Sequence, residues 1–419
     1  MNFALAGLQD NGTARFNGSG PWPPVYGNDG AFCALDTSNP DTIWYVSWQY
    51  LNIRKTVNGG GSTSAATTGL TDANNNSAAP FIAPFTICPS NNLILMAGSN
   101  NVWRTVDGAA NWTSNSPDPL TADGYWWEAI LATAFAPSDA ACNTAFVGTR
   151  LGKLFRTTVG GGIAGWTNVS AGIPARAITD FAIHPTDANT VYVALNGFGG
   201  GHVYKSINAL GPSPTWTNTS TGLPDSPINA LVIDPTDSNY VYAGGDVGIF
   251  RTTNGGTSWS PFMNGFPTVV VHDLQAVAAT GALYAFTHGR GVWRLAPGSP
   301  GEAGPPANPL KVRKNGASYT FDWGAPTSGT CVVNDYALYK GTLTTLAASY
   351  NHSTQLGCPV AATTLSLLQS DVRFGTNDYY LVSATNGTQE GTYGQATGGA
   401  QIPPSTSPCR VSQNLQACP

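Results

Sequence analysis

Charge is scarce in this chain. Asp, Glu, Lys and Arg make up 10% of its 419 residues, well under the usual quarter. The net charge is −5 and no basic block occurs, which excludes a nucleic-acid partner. No apolar run approaches the roughly 20 residues that a membrane-spanning helix needs. Long helices are disfavoured as well, because their faces call for Ala, Leu, Glu and Lys rather than Ser, Thr, Asn and Gly. There is no Cys-x-x-Cys pair, so a zinc ribbon or a dithiol redox motif is not expected. The opening MNFALAGLQDNGT lacks a basic segment, and its apolar stretch is too short for a signal peptide. An exported-looking body without a leader reads as a fragment of a longer, secreted or cell-surface protein.

The chain does have 42% hydrophobic and 11% aromatic residues, enough for a sizeable core and more than one domain. Glycine (49) and proline (30) punctuate it densely. Seven cysteines are present. Cys331, Cys358, Cys409 and Cys418 fall in the last quarter, where Cys331–Cys358 and Cys409–Cys418 could form two disulfides in an oxidising compartment. Cys33, Cys88 and Cys142 lie earlier, in runs such as AFCAL and FTICPS, and read as buried thiols.

One stretch recurs. RTTNGGTSW (251–259) has near-copies in RTVDGAANW (104–112), RTTVGGGIAGW (156–166) and KSINALGPSPTW (205–216), while RKTVNGGGST (54–63) keeps the turn without the tryptophan. Around each copy lies a unit of roughly 40–50 residues. It runs from an apolar strand through a turn such as IHPTDANT or IDPTDSNY to an alternating strand such as VYVAL or VYAGG. A polar tip, a third strand, the glycine turn and a final strand complete it. A four-stranded sheet of this kind cannot bury both faces alone, and stacking copies around an axis gives a β-propeller. The central hairpin occurs seven times, at 3–16, 42–56, 93–105, 144–157, 190–206, 240–252 and 282–295. Seven blades are therefore expected. Six stay open, because no inner strand precedes the first copy and no Trp strand follows the last. The fold class is all-β, a propeller followed by a small β-sandwich.

The spacing of Thr105, Asp107, Gly108 and Trp112 resembles the Asp-box of bacterial-neuraminidase-type repeats, with Asn254 in place of the Asp in the 251–259 copy. The resemblance covers residues 1–298 and implies the propeller fold. It does not imply one activity, because such propellers include sialidases, xyloglucan-degrading glycosidases, sortilin-like receptors and photosystem assembly factors. Neither the arginine triad nor the early Arg-Ile-Pro of the sialidase-like pattern is visible. Asn58 stands where the xyloglucanase-like pattern has a catalytic Asp. Residues 299–309 form a Gly/Pro-rich linker. Residues 310–419 resemble a fibronectin type III-like sandwich, with Trp323 and Tyr379–Tyr380 at its aromatic positions, serving as a spacer or a glycan-binding module.

Propeller geometry places the glycine turns and His184 on the lower face. The hairpin tips and the starts of the inner strands come to the upper face. There we expect Asp10, Asp29, Glu128, His272 and His288 as catalytic candidates. Trp48, Tyr50, Trp126, Trp127, Arg150, Arg176 and Arg290 are the substrate-binding candidates. Paired carboxylates beside aromatic rings suit glycan hydrolysis. Asp10, Asn11, Asn28, Asp29 and Asp246 are ligand types for calcium, as in propellers that hydrolyse small esters or phosphoesters with a metal. LQDNGT and HGRGVW also read as plain hairpin turns. A non-catalytic carbohydrate- or protein-binding module is the remaining expectation. The expected partner is a polysaccharide or small ester, and the expected state is a monomer.

Overall fold

In the computed structural model the chain divides into two units, Met1–Leu295 and Ala296–Pro419. The first is described at residues 3–18, 21–121, 128–262, 266–278 and 281–295. The second is described at 310–315, 318–323, 335–342, 354–368, 378–385, 389–390, 408–410 and 412–413. No α-helix forms among these residues, and no helix is long and apolar enough to cross a membrane.

The first unit is a β-propeller. Its described residues form seven sheets in chain order, five of them four-stranded and the first and last three-stranded. The fifth shows the pattern: inner strand Ile178–Ile183, then Val191–Leu195, Val203–Ser206 and outer strand Thr217–Asn218, all antiparallel. Every residue of Val191–Leu195 is buried, as is every residue of Ala145–Thr149 and Val241–Gly245. These second strands read as continuous rather than alternating apolar runs because a neighbouring sheet covers each of their faces. The apolar clusters follow the same logic. One joins Phe146 and Leu154 of the fourth sheet to Ile178, Val193 and Trp216 of the fifth, and the next joins Tyr192 and Val203 to Ile228, Phe250 and Trp259 of the sixth.

The recurring glycine turn explains how the sheets stay in register. In the third sheet Thr105 Oγ1 donates to Asp107 Oδ1 (2.7 Å) and accepts the Ala109 N–H (3.2 Å), while Asp107 Oδ1 accepts the Asn111 N–H (3.0 Å). Thr56 with Asn58 and Thr252 with Asn254 repeat the arrangement, and Ser206 with Asn208 keeps the hydroxyl-to-amide bond over a longer turn, so Asn serves as well as Asp. Glycine at the tip (Gly108, φ 70°; Gly255, φ 64°) supplies the left-handed conformation and turns its carbonyl outward.

A cation from the preceding sheet grips that carbonyl. Lys55 Nζ donates to Gly108 O (2.9 Å), Arg104 to Cys142 O and Gly160 O (2.9 and 3.2 Å), Arg156 to Ala209 O and Gly211 O (2.8 and 2.7 Å), and Lys205 to Gly255 O (2.8 Å). The tryptophan reaches the other way. Nε1 of Trp112, Trp166, Trp216 and Trp259 donates to Ala66, Asn115, Val169 and Thr219 O of the sheet before (2.8, 2.7, 2.9 and 2.6 Å). The motif is a two-way latch between neighbouring sheets.

The cysteines depart from the sequence reading. Cys88 and Cys142 form a disulfide between the third and fourth sheets rather than staying thiols. Cys88 ends an inner strand and Cys142 sits in the next sheet's turn, a proximity that only the stacking creates. Among the described residues Cys33 is the free one. In the second unit Cys358 pairs with Cys409, which overturns both expected pairings, Cys331–Cys358 and Cys409–Cys418. Cys331 and Cys418 lie outside the described residues. The described residues of this unit form a three-stranded and a five-stranded sheet sharing a core of Phe321, Trp323, Tyr336, Leu338 and Val360, with Tyr380 against Phe321 (5.2 Å). The side chain of Tyr379 is outside the described set.

Trp112→Ala removes a buried indole and its latch, and should lower the free energy of unfolding by about 3–5 kcal/mol. Trp112→Phe, which keeps the packing and loses the N–H, should cost less, with about 1 kcal/mol of its cost due to the lost hydrogen bond. Denaturant titration of both variants reads the difference. Replacing Cys88 and Cys142 together by Ser should lower stability by about 2–4 kcal/mol in the same assay.

Candidate functional site on the upper face

The tips and connections meet where the sequence places them. The N–H groups of Arg150, Asn196, Asp246 and His288 bond to the carbonyls of Ala129, Ala177, Pro227 and Val270, just ahead of or at the start of the inner strand of the same sheet. Four inner strands also carry a bulge near this end, at Leu131, Thr179, Asn229 and His272. A bulge re-aims the side chain of its extra residue. Thr179 and Asn229 use it to donate to Ile228 O (2.6 Å) and Val271 O (3.2 Å) of the next sheet. His272 occupies the equivalent position in the last sheet and meets His288 instead, Nε2 to Nδ1 at 3.4 Å.

Two groups of predicted residues come together. Around the first sheet, the Asp10 N–H donates to Asp29 Oδ1 (2.6 Å) and Gln49 Nε2 donates to Asp29 Oδ2. Asp10 (φ 61°) and Asn28 (φ 67°) hold left-handed conformations, and Asn11 caps Gln9 O (3.1 Å). Beside them Trp48 stacks on Tyr26 with ring centroids 4.9 Å apart and planes 7° from parallel, and the Arg54 guanidinium lies over the Tyr26 ring at 5.6 Å. In the last two sheets, Asp246 accepts from Asn229 Nδ2 (2.9 Å). Burial and the neighbouring His288 hold His272 below its ordinary range, against the pull of Asp246.

Other predicted residues go elsewhere. Glu128 is 2% exposed, with Lys153 Nζ at 3.3 Å and Thr149 Oγ1 at 3.4 Å. Burial raises its pKa. It is enclosed between strands and does not present a carboxylate to the face. Arg176 braces the glycine-rich tip by donating to Phe198 O (3.3 Å) and Gly201 O. Arg290 is exposed on the last tip. Tyr50 and Arg150 line a cavity treated below. Trp126 and Trp127 lie outside the described residues.

Members of the expected calcium set bond within the protein. Both carboxylate oxygens of Asp29 accept N–H donors, and Asp246 is bonded to an amide donor. No three His, Cys, Asp or Glu among the described residues come together as a metal site.

Two further acids of the inner strands, outside the catalytic candidates, act on each other electrostatically. Asp180 and Asp273 occupy equivalent positions just after the bulge, where Ala132 and Ala230 stand in the sister strands. Aligning the repeats by their bulges would have singled them out. Asp180 accepts the Leu231 N–H (2.7 Å) and its neighbour's Phe181 N–H (2.8 Å). Burial, reinforced by Asp273, pushes Asp180 up to about 7 against those two donors. Asp273 keeps exposed surface yet lies among closely packed protein atoms, and that burial pushes it up to about 6. The Cys33 thiol is pushed up to about 12, first by burial and then by Asp273. A carboxylate of the last sheet thus acts electrostatically on groups of the second and the fifth, which is the signature of strands ringed about one axis.

Neither a protein-family model nor a curated protein sequence matches the chain. Solved structures do resemble it. The GH74 xyloglucanase from Xanthomonas campestris superposes with a TM-score of 0.55 at 16% identity, covering 85% of this chain and 57% of its own. The GH74 enzyme of Niastella koreensis gives 0.53 at 18%, covering 77% and 56%. PorZ, a surface component of the type-IX secretion system of Porphyromonas gingivalis, gives 0.51 at 13%, covering 91% and 56%. The chain therefore spans a little over half the length of each. At these identities the likeness fixes the class, a β-propeller, and nothing finer.

The raised carboxyl pKa values carry a sign. An acid whose folded pKa lies above its unfolded value of ~4 binds more protons in the folded state between the two. Stability from Asp180 and Asp273 is then greatest below pH ~4, and it falls as pH rises through about 6 and about 7. Carboxyl-carbon NMR should show both groups titrating in that range, and Asp180→Asn should flatten the stability loss between pH 5 and pH 8. Titration of both near pH 4 would remove the pair.

Proposed function

We propose that the first unit is a seven-bladed propeller of the Asp-box type from an exported glycan hydrolase, and that a polysaccharide lies across its upper face. The observation that carries this reading is the Asp10–Asp29–Gln49 group beside the parallel Tyr26–Trp48 stack. Glycoside cleavage needs two carboxyl groups flanking one bond, and aromatic rings offer a flat surface for sugar C–H faces. Asp29, oriented by the Asp10 N–H and the Gln49 amide, takes the role of base. Asp10, exposed on its tight turn, takes the role of acid. His272 and His288 form a second polar group, in the last sheet. The GH74 neighbours support glycan chemistry on this fold, and two disulfides suit an oxidising, extracellular compartment. The second unit is read as a fibronectin type III-like spacer.

A second reading has its own support. Both oxygens of Asp29 are engaged and Glu128 is enclosed, which favours a module that binds glycan without cleaving it. Release of reducing ends from xyloglucan and other β-glucans separates the two. Under the hydrolase reading, Asp29→Asn and Asp10→Asn each lower kcat by ~10²–10⁴-fold, and Trp48→Ala acts mainly on KM. Saturable binding with no product from the unaltered chain establishes the second reading, and full turnover by Asp29→Asn removes the carboxylate pair.

A further inference from the structure

A separate cavity of about 250 Å³ opens on the upper face between the tip at 49–51 and the connection at 72–84. It is lined by Tyr50, Asn76, Pro80, Phe81, Ala129 and Arg150, among others. Its volume lies below the ~300–1,000 Å³ of pockets for drug-sized ligands, which suits one sugar unit rather than a chain. Tyr50 and Phe81 meet edge to face, with centroids 5.6 Å apart and planes at 89°. Phe81 is 40% exposed, so an aromatic surface stays open.

The pair is held in place before any ligand arrives. The Tyr50 N–H donates to Phe81 O (3.1 Å) and Tyr50 O accepts from the Asn74 N–H (2.7 Å). Tyr50 and Leu51 both adopt left-handed conformations (φ 56° and 57°), which bulky residues rarely occupy, and Leu51 is fully buried as the anchor of the turn. Asn-Gly would form such a turn without strain, so Tyr at this position is a choice of side chain over ease of folding.

Arg150 gives the cavity its charge. Arg15, Arg54, Arg104, Arg156 and Arg176 each grip a backbone carbonyl. The Arg150 guanidinium is exposed and makes no hydrogen bond or ion pair among the described residues. An open guanidinium fork beside a rigid aromatic pair matches a planar carboxylate on a ring with an apolar face. We infer that this cavity is a subsite for a uronic-acid unit of a glycan, with the carboxylate on Arg150 and the ring against Tyr50 and Phe81. The inference rests on the glycan reading above and names a substrate class for it.

The test is calorimetric titration of the full chain with glucuronic-acid-substituted xylo-oligosaccharides, with the same oligosaccharides after carboxyl reduction, and with sulfated oligosaccharides of equal length. The expected result is at least tenfold tighter binding of the acidic form than the reduced form. That ratio should fall to about one in Arg150→Gln, recover in part in Arg150→Lys, and both affinities should drop in Tyr50→Ala. Equal affinity for acidic and reduced forms overturns the subsite while leaving the glycan reading standing. So does a preference that survives Arg150→Gln, or tighter binding of the sulfated form. Failure of every oligosaccharide to bind overturns both.

Discussion

A cation reaching from one sheet to the glycine-turn carbonyl of the next is the contact on which this propeller depends. Each four-stranded sheet is too small to bury its own faces, so stability resides in the joints between sheets. Apolar packing supplies most of the free energy there but has no direction. Lys55, Arg104, Arg156 and Lys205 supply the direction, together with the tryptophan N–H groups that point back, because a hydrogen bond fixes how far one sheet can slide over its neighbour. A charged donor to a backbone carbonyl is also stronger than a neutral pair.

This use of cations bears on the upper face. The chain has only 18 Lys and Arg in 419 residues, and the latches on the lower face consume several of them. Those left without a structural partner on the upper face stand out for that reason. The same economy applies to the carboxylates. Asp36, Asp107, Asp139 and Asp187 cap turns, and Glu128 neutralises Lys153. Asp180 and Asp273 do neither, and they sit where the sister strands carry alanine.

The ring closes unevenly. The first sheet contributes no inner strand and the last no outer one, so six inner strands line the axis among the described residues. His272 differs from its counterparts. Its bulge equivalents Thr179 and Asn229 bond to the next inner strand, whereas His272 meets His288. The histidine pair lies in the last sheet, whose Asp273 also acts on Cys33 of the second.

Much of this was readable from the residues alone. The period of the repeat, the Thr-x-Asp/Asn-Gly turn and the alternation of VYVAL-like strands specify a four-stranded unit because turn chemistry and strand periodicity are local properties. The tips at Asp10, Tyr50, Arg150, Asp246 and His288 followed from that periodicity. Tertiary structure decided the rest. Stacking joined Cys88 to Cys142 and brought Asp180 and Asp273 to one axis, while folding within a single repeat drew Glu128 inward onto Lys153 and set Arg176 to brace a loop. Each of those outcomes depends on the distance between groups in different repeats or strands, and a linear pattern carries no information about distance until the sheets have closed into a ring.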